Sequence, residues 1–448
     1  MHPTLLELSQ ALERAQTNPV EILEQALDKA PHAQDAWISL LPELAMQQAK
    51  ASQARWQAGK PLSPLDGIPI AWKDVFDLAG TATTCASLSR SQAPAASSDA
   101  ALVHQLHELG MVSVGKTNMS ELAYSGLGIN PYSGTPHNPF DSQQARIPGG
   151  SSSGSAAVVH AGVVACAMGS DTSGSIRIPA AYYGLAGYKP SSARYPRQGM
   201  FPLAPSLDTA GPIAHTMADI RLLDACLLGL DAHSSTSRLG FTPRFVVPDG
   251  RFLAQTAPAV QQVFQHALQS LKQAGYHVEH REFLPYTQTL DLFAEHGTLV
   301  AIESIEVHKE LLDSPTLQRV DPRIVARLQR GRQIPPASAQ LIRTQRQVYI
   351  QASLQALAPE EILIYPTVPV SPPLIAPLEH DPELFAQTNA TVLSHTMPSS
   401  YLDMPTISLP AGLDSLGLPV GLSLSMRQNQ DAALLEAAQH IEHIINVT

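Results

Sequence analysis

The sequence runs to 448 residues with a formal net charge of −11; 15% of the residues are charged, 44% are hydrophobic and three are cysteines. A chain longer than the ~250–300 residues at which single cores stop growing forms either several domains or one large layered fold. The acidic balance argues against a generic nucleic-acid binder, which needs a basic face. Cys85, Cys166 and Cys226 are too few for a disulfide framework and show no C-x-x-C zinc spacing.

The opening Met1-His2-Pro3-Thr4-Leu5 has neither the basic nor the apolar region of a secretory signal. No uninterrupted apolar run reaches the ~18 residues of a spanning helix, so a soluble cytoplasmic protein without membrane contact is expected. Thr4-Leu5-Leu6-Glu7 and Asn18-Pro19-Val20-Glu21 read as helix starts, the second with Pro at the first helical position. Leu5, Leu8 and Leu12, then Ile22, Leu23, Ala26 and Leu27, recur at helical spacing behind them. A third helix is predicted over 42–58, stopped by Gly59.

From about residue 65 to 212 the pattern changes to α/β. Met111-Val112-Ser113-Val114 and the run from Val163 to Met168 read as buried strands, and Ala100 to Leu109 reads as a helix in the same alternating pattern. Residues 234–359 are more polar and helical, with Val260, Val263, Phe264 and Leu271 on one face, and suggest an inserted or second helical layer. Ile362-Leu363-Ile364-Tyr365 reads as a strand, followed by a Pro-rich loop, a strand pair near 406–409 and 420–424, and a helix from about Asp431.

Two small-residue loops stand out: Gly149-Gly150-Ser151-Ser152-Ser153-Gly154-Ser155 and Gly169-Ser170-Asp171-Thr172-Ser173-Gly174-Ser175-Ile176-Arg177. Such loops inside a core let backbone N–H groups converge on a ligand or a developing oxyanion. They lack the Gly-Lys-Ser/Thr ending of a phosphate-binding loop. Gly150-Ser151-Ser152-Ser153-Gly154 fits G-x-S-x-G, but the polar stretch 141–148 before it is no strand, so the nucleophile-elbow reading fails. Ser113-Val114-Gly115-Lys116 fits S-x-x-K with its serine inside a predicted strand, and that reading fails too. Upstream, Gly67-Ile68-Pro69-Ile70-Ala71-Trp72-Lys73-Asp74 sets one lysine among bulky apolar residues, where burial disfavours its charge and makes it a usable proton acceptor. A surface pairing of Lys73 with Asp74 is the competing reading; an extended backbone sends the two to opposite faces.

The two loops, carrying Ser151 and Ser175, resemble the signature of the amidase signature family of serine hydrolases. The likeness extends from about residue 65 through Gly115-Lys116-Thr117-Asn118-Met119, Gly134-Thr135-Pro136-His137-Asn138-Pro139 and the stretch 148–190. It continues in Ser206-Leu207-Asp208-Thr209-Ala210-Gly211-Pro212, Leu402-Asp403-Met404-Pro405 and Gly417-Leu418-Pro419-Val420-Gly421. The resemblance implies an α/β amidase signature fold: a large mixed β-sheet core covered by helices on both faces, as one domain over 1–448. Its parts would be N-terminal helices (1–60), the signature core (65–230), a variable helical region (234–359) and C-terminal strands with a helix (360–448).

It further implies a catalytic triad of Lys73, Ser151 and Ser175, with Ser175 as nucleophile, Ser151 following a cis peptide after Gly150, and Lys73 as base. The backbone N–H groups of Thr172, Ser173, Gly174 and Ser175 would form the oxyanion hole. Ser173 stands where the family usually has glycine, so a positive φ there would strain the hole. Tyr124, Ser152 and Arg177 are the candidates for substrate contact. For each a structural role competes: a core aromatic, a loop hydrogen-bonder, and an ion pair with Asp171. The 17 histidines form no metal-binding motif, and no cofactor or metal is expected.

The expected activity is hydrolysis of a small carboxamide to a carboxylate and ammonia or an amine through an acyl-serine. The alternative is the glutaminase-type subunit of a tRNA-dependent amidotransferase complex. Nucleic acid would be met only within such a complex, and the resemblance also admits a homo-oligomer.

Overall fold

A computed structural model describes residues 2–231 and 240–445. The predicted helix starts form as expected. Thr4 caps α1 (Leu5–Glu13) in a reciprocal box with Glu7, and the Asn18 side chain accepts from Val20 and Glu21 N–H at the start of α2 (Pro19–Lys29). The third helix is α3 (Pro42–Gln57). Further along come α4 (Ala101–Glu108), α5 (Ser153–His160) and α6 (Arg177–Tyr182).

Among the described residues, the strands join one 11-stranded mixed sheet. They are β1 (Trp37–Leu40), β2 (Pro69–Lys73), β3 (Val112–Thr117), β4 (Cys166–Asp171), β5 (Ala186–Lys189), β6 (Thr209–Ala214), β7 (Arg244–Asp249), β8 (His277–Glu282), β9 (Glu361–Pro366), β10 (Thr406–Leu413) and β11 (Pro419–Ser425). Their order across the sheet is β1-β3-β2-β4-β6-β5-β10-β11-β9-β7-β8. The β3-β2-β4 and β9-β7-β8 groups run parallel; β6, β5, β10 and β11 between them pair antiparallel.

Side-chain alternation divides the core between the two faces of the sheet. Ile70, Trp72, Cys166 and Met168 pack with α1, α4 and the C-terminal helix Asp431–Ile445. Ala71, Val112, Val114 and Ala167 pack with α2, α3 and α5. Helices therefore cover both faces, and the central strands, buried throughout, read as the apolar runs expected of such a sheet.

The region after the signature core differs from the sequence-based reading. The boundary at 234 lies outside the described residues, and the described part beyond it is not wholly helical. It contributes β7 and β8 to the sheet, with helices Pro258–Gln273, Leu284–His296, Leu299–Val307, Pro322–Arg332 and Pro336–Ala356 around them. β8 reads His-Val-Glu-His-Arg-Glu and forms an edge. Its charges keep a free edge from pairing with other chains and also erase the apolar signal of a strand. Among the described residues no helix is long and apolar enough to cross a membrane.

Candidate active site

The parallel pairing of β2 with β3 and β4 brings the end of β2 beside the end of β4. Lys73 closes β2 and is fully buried. Its Nζ lies 2.6 Å from Ser151 Oγ, 2.7 Å from Ser170 Oγ and 3.4 Å from the Ser170 carbonyl. Burial pulls the amine down to about 7, opposed by the charges of Asp171, Asp208 and Cys85. Asp74 turns away, as the alternation requires, and pairs with Lys116 at 2.7 Å, both side chains fully buried. The competing Lys73–Asp74 pairing is therefore absent.

Ser151 follows a cis peptide bond after Gly150 and precedes α5. Three backbone bonds fix the segment: Gly150 N–H donates to the Gly126 carbonyl (2.8 Å), Ser120 N–H to the Ser151 carbonyl (3.1 Å), and Ser152 N–H to the Ser175 carbonyl (3.1 Å). The last holds the two small-residue loops together. Glycine is required at Gly150, because a Cβ there would meet Ser120 Oγ at 2.4 Å and Gly128 N at 2.7 Å.

Ser175 is 5% exposed at the end of a loop organised by one carboxylate. Asp171 accepts from Gly174 N–H (2.6 Å), from Ile176 N–H (3.2 Å) and from two nitrogens of Arg177 (2.9 Å each). Arg177, fully buried, also donates to Ser399 Oγ and Ser400 Oγ (2.7 Å each) and to the Thr396 carbonyl (3.2 Å). That corrects its candidacy for a substrate carboxylate: the guanidinium is enclosed and committed to the loop, which is the ion-pair reading. The oxyanion-hole set is corrected as well. Gly174 N–H is spent on Asp171, while the N–H groups of Thr172, Ser173 and Ser175 have no acceptor among the described residues. The concern over Ser173 is removed, because the positive φ falls on Gly174 (+131°), where a Cβ would meet Thr396 Oγ1 at 2.2 Å. Thr396 Oγ1 donates to the Ser173 carbonyl and closes the loop from the other side.

Ser152 is fully buried, and its Oγ donates to the Ser170 carbonyl at 3.3 Å, so it braces the loops. Tyr124 is 2% exposed and sits in the loop 120–128 that is bonded to Gly150 and Ser151. The Arg327 guanidinium lies 4.4 Å above its ring. Thr396 and Arg327 carry no mark in the sequence that singles them out for the site, and Asp208, though inside the 206–212 stretch of the family resemblance, is given no role by it. Ser170 lies inside one of the two small-residue loops, yet only the through-space meeting of β2 and β4 reveals its hydroxyl on Lys73.

A second grouping resembles a hydrolytic triad: Asp99 Oδ2 is 2.9 Å from His107 Nδ1, and His107 Nε2 is 2.7 Å from Ser113 Oγ. Ser113 is fully buried within β3 and accepts from Trp72 Nε1 at 2.8 Å, so no substrate reaches it.

Comparison with known proteins gives the chain a family. The family described as Amidase matches residues 21–435. The chain is 32% identical to 2-amino-5-chloromuconic acid deaminase of Comamonas testosteroni, over 86% of this chain and 83% of that protein. It is 29% identical to a glutamyl-tRNA(Gln) amidotransferase subunit of Legionella pneumophila strain Corby, over 99% and 98%. A crystal structure of an amidase superposes with a TM-score of 0.87 at 29% identity, covering 99% of this chain and all of that one. With the sheet, the paired loops and a match along nearly its whole length, this chain belongs to the amidase signature family, whose members are hydrolases acting on carbon–nitrogen bonds.

Proposed function

We propose that the chain hydrolyses a small carboxamide through an acyl-Ser175 intermediate, with Ser151 as proton relay and Lys73 as the base. The observation that carries this reading is the 2.6 Å contact between the buried Lys73 amine and Ser151 Oγ. An amine held at about 7 has a lone pair to accept a proton near neutrality. Ser175 Oγ attacks the amide carbonyl as its proton passes to Ser151 and the Ser151 proton to Lys73. The oxyanion lies against the N–H groups of Thr172, Ser173 and Ser175. Return of the proton by the same relay to the leaving nitrogen releases ammonia or an amine. Water then attacks the acyl-serine with Lys73 again as acceptor, freeing the carboxylate.

The acyl side is assigned to the Tyr124 loop. On the helix Pro322–Arg332, Arg323 pairs with Asp321, Arg330 with Glu383 and Arg332 with Asp313. Arg327 has no acidic partner among the described residues and rests on Tyr124. An unpaired cation beside the site favours amides that carry a carboxylate; the relative from Comamonas testosteroni is named for an acid.

The test is amide hydrolysis by folded Ser175→Ala and Lys73→Ala proteins. Losses of at least about 10³-fold are expected in both, as when a unit of a catalytic relay is removed; a near-full rate in either overturns the assignment. The near-complete alignment with an amidotransferase component keeps a second reading, glutaminase within a complex. Glutamine hydrolysis that needs a second protein would favour it. We also read the chain as one amidase domain of the cytoplasm, supported by the single continuous sheet and by three buried, unpaired cysteines.

A further inference from the structure

We propose that Asp208 is a positioning residue for the reaction: its buried carboxylate is the counter-charge to the ammonium that Lys73 becomes when it takes up the proton. This rests on the Ser175–Ser151–Lys73 reading above.

Three adjacent strands place the groups. Lys73 ends β2, Ser170 and Asp171 end β4, and Asp208 immediately precedes Thr209 at the start of β6. There the register Asp171↔Thr209 and the bond from Thr209 Oγ1 to the Asp171 carbonyl (2.9 Å) align the strand ends. Asp171 and Asp208 are the two carboxylates whose charges reach Lys73, with the Cys85 thiol as the remaining titratable neighbour. Asp171 is already neutralised by the doubly bonded Arg177, with Lys189 as a further cation in range.

Asp208 has no such partner among the described residues. It is 3% exposed, and its carboxylate accepts from Thr172 Oγ1 (2.6 Å), Leu203 N–H (2.9 Å) and Ala204 N–H (3.1 and 3.2 Å). Arg197, the cation in its field, bonds the Asp208 backbone carbonyl at 2.9 Å rather than the carboxylate. With Lys189 matched by Asp403 and Asp431, the group of Lys73, Asp171, Arg177 and Asp208 carries one net negative charge while Lys73 is neutral. It becomes electroneutral when Lys73 holds the proton. A buried carboxylate whose direct hydrogen bonds all come from neutral dipoles favours an opposite charge arriving nearby, so Asp208 draws the proton toward Lys73 as Ser175 attacks. The same carboxylate holds Thr172, the first residue of the nucleophile loop, so proton uptake and loop geometry share one group. Burial raises the Asp208 carboxyl to about 6, just below the value of about 7 for Lys73, so the carboxylate is ionised where Lys73 takes up its proton.

The test is the pH profile of kcat/KM for one neutral amide in four purified enzymes: wild type, Asp208→Asn, Thr172→Val and Lys73→Ala. The wild-type acid limb is expected to exceed the slope of one proton. In Asp208→Asn the limb should fall to a one-proton slope and move down by about one pH unit, with a plateau about tenfold lower. Thr172→Val, which deletes a hydroxyl contact that favours the ionised carboxylate but keeps the charge, should lower the plateau and move the limb up, opposite to Asp208→Asn. An Asp208→Asn limb that coincides with wild type overturns the proposal, as does an equal downward shift in Thr172→Val. If Lys73→Ala instead keeps its rate and limb, the underlying catalytic reading has failed. Should Asp208→Asn not fold, Asp208→Ser, equally uncharged, carries the same expectations.

Discussion

Lys73, the proposed base, would couple chemistry to stability at a single residue. Its ordinary value of 10.5 is lowered to about 7 by burial, so between those pH values the unfolded chain binds a proton that the folded chain does not. Folding is then favoured progressively as pH rises from about 7 to 10.5, and the cost of burying this lysine is complete below 7. Lys73→Met removes that titration. Measured by denaturant unfolding, the stability of Lys73→Met relative to wild type should decline from pH 7 to pH 10 by about 3 kcal/mol; a pH-independent difference would show that the amine is not depressed. Lys73 could be read from sequence because a strand with alternating faces separates it from Asp74. Ser170 and Asp208 could not, because their roles depend on which strands lie side by side, and that order is not written in the local pattern.

The elements that carry the site are short and held from outside. The Tyr124 loop bonds Gly150 and Ser151, and Ser125 Oγ and Gly126 N–H both reach Asn389 Oδ1 on the helix Pro382–Leu393. The helix Pro322–Arg332 is tied to the same loop through Glu121, which accepts from Asp321 N–H at 2.7 Å and from Ser87 Oγ at 2.6 Å. Arg327 is thereby held over Tyr124. Replacing it with Met keeps apolar bulk on the ring and removes the charge. For a carboxylate-bearing amide, Arg327→Met should raise KM about tenfold or more, as loss of a charge-assisted contact does, while the neutral analogue stays within about threefold. Equal effects on both substrates would reject a carboxylate subsite. The sequence marks this stretch as helical, yet its part in the site is hidden there. A lone arginine in a basic helix has no local mark separating it from the paired arginines beside it.

Across the whole molecule, the site gathers residues from β2, the start of α5, the loop after β4, the turn before β6 and the segment near Thr396. The continuous sheet and its two covered faces make that convergence possible. The layered α/β class was legible because the buried central strands are apolar runs between Gly- and Ser-rich loops. The edges β1 and β8 were not: β1 is only four residues long, and β8 is polar because an exposed edge strand need not be apolar. The loops around Ser151 and Ser175 were legible because their small residues are demanded by close backbone approach, as the contacts at Gly150 and Gly174 make plain. The most direct measurement is the site of covalent modification by a serine-directed phosphonate, mapped by peptide mass spectrometry in wild-type and Lys73→Ala protein at pH 8. The account predicts one adduct, on Ser175, with labelling slowed by at least about 100-fold in Lys73→Ala. An adduct on another serine, no adduct at all, or an unchanged labelling rate in Lys73→Ala would contradict it.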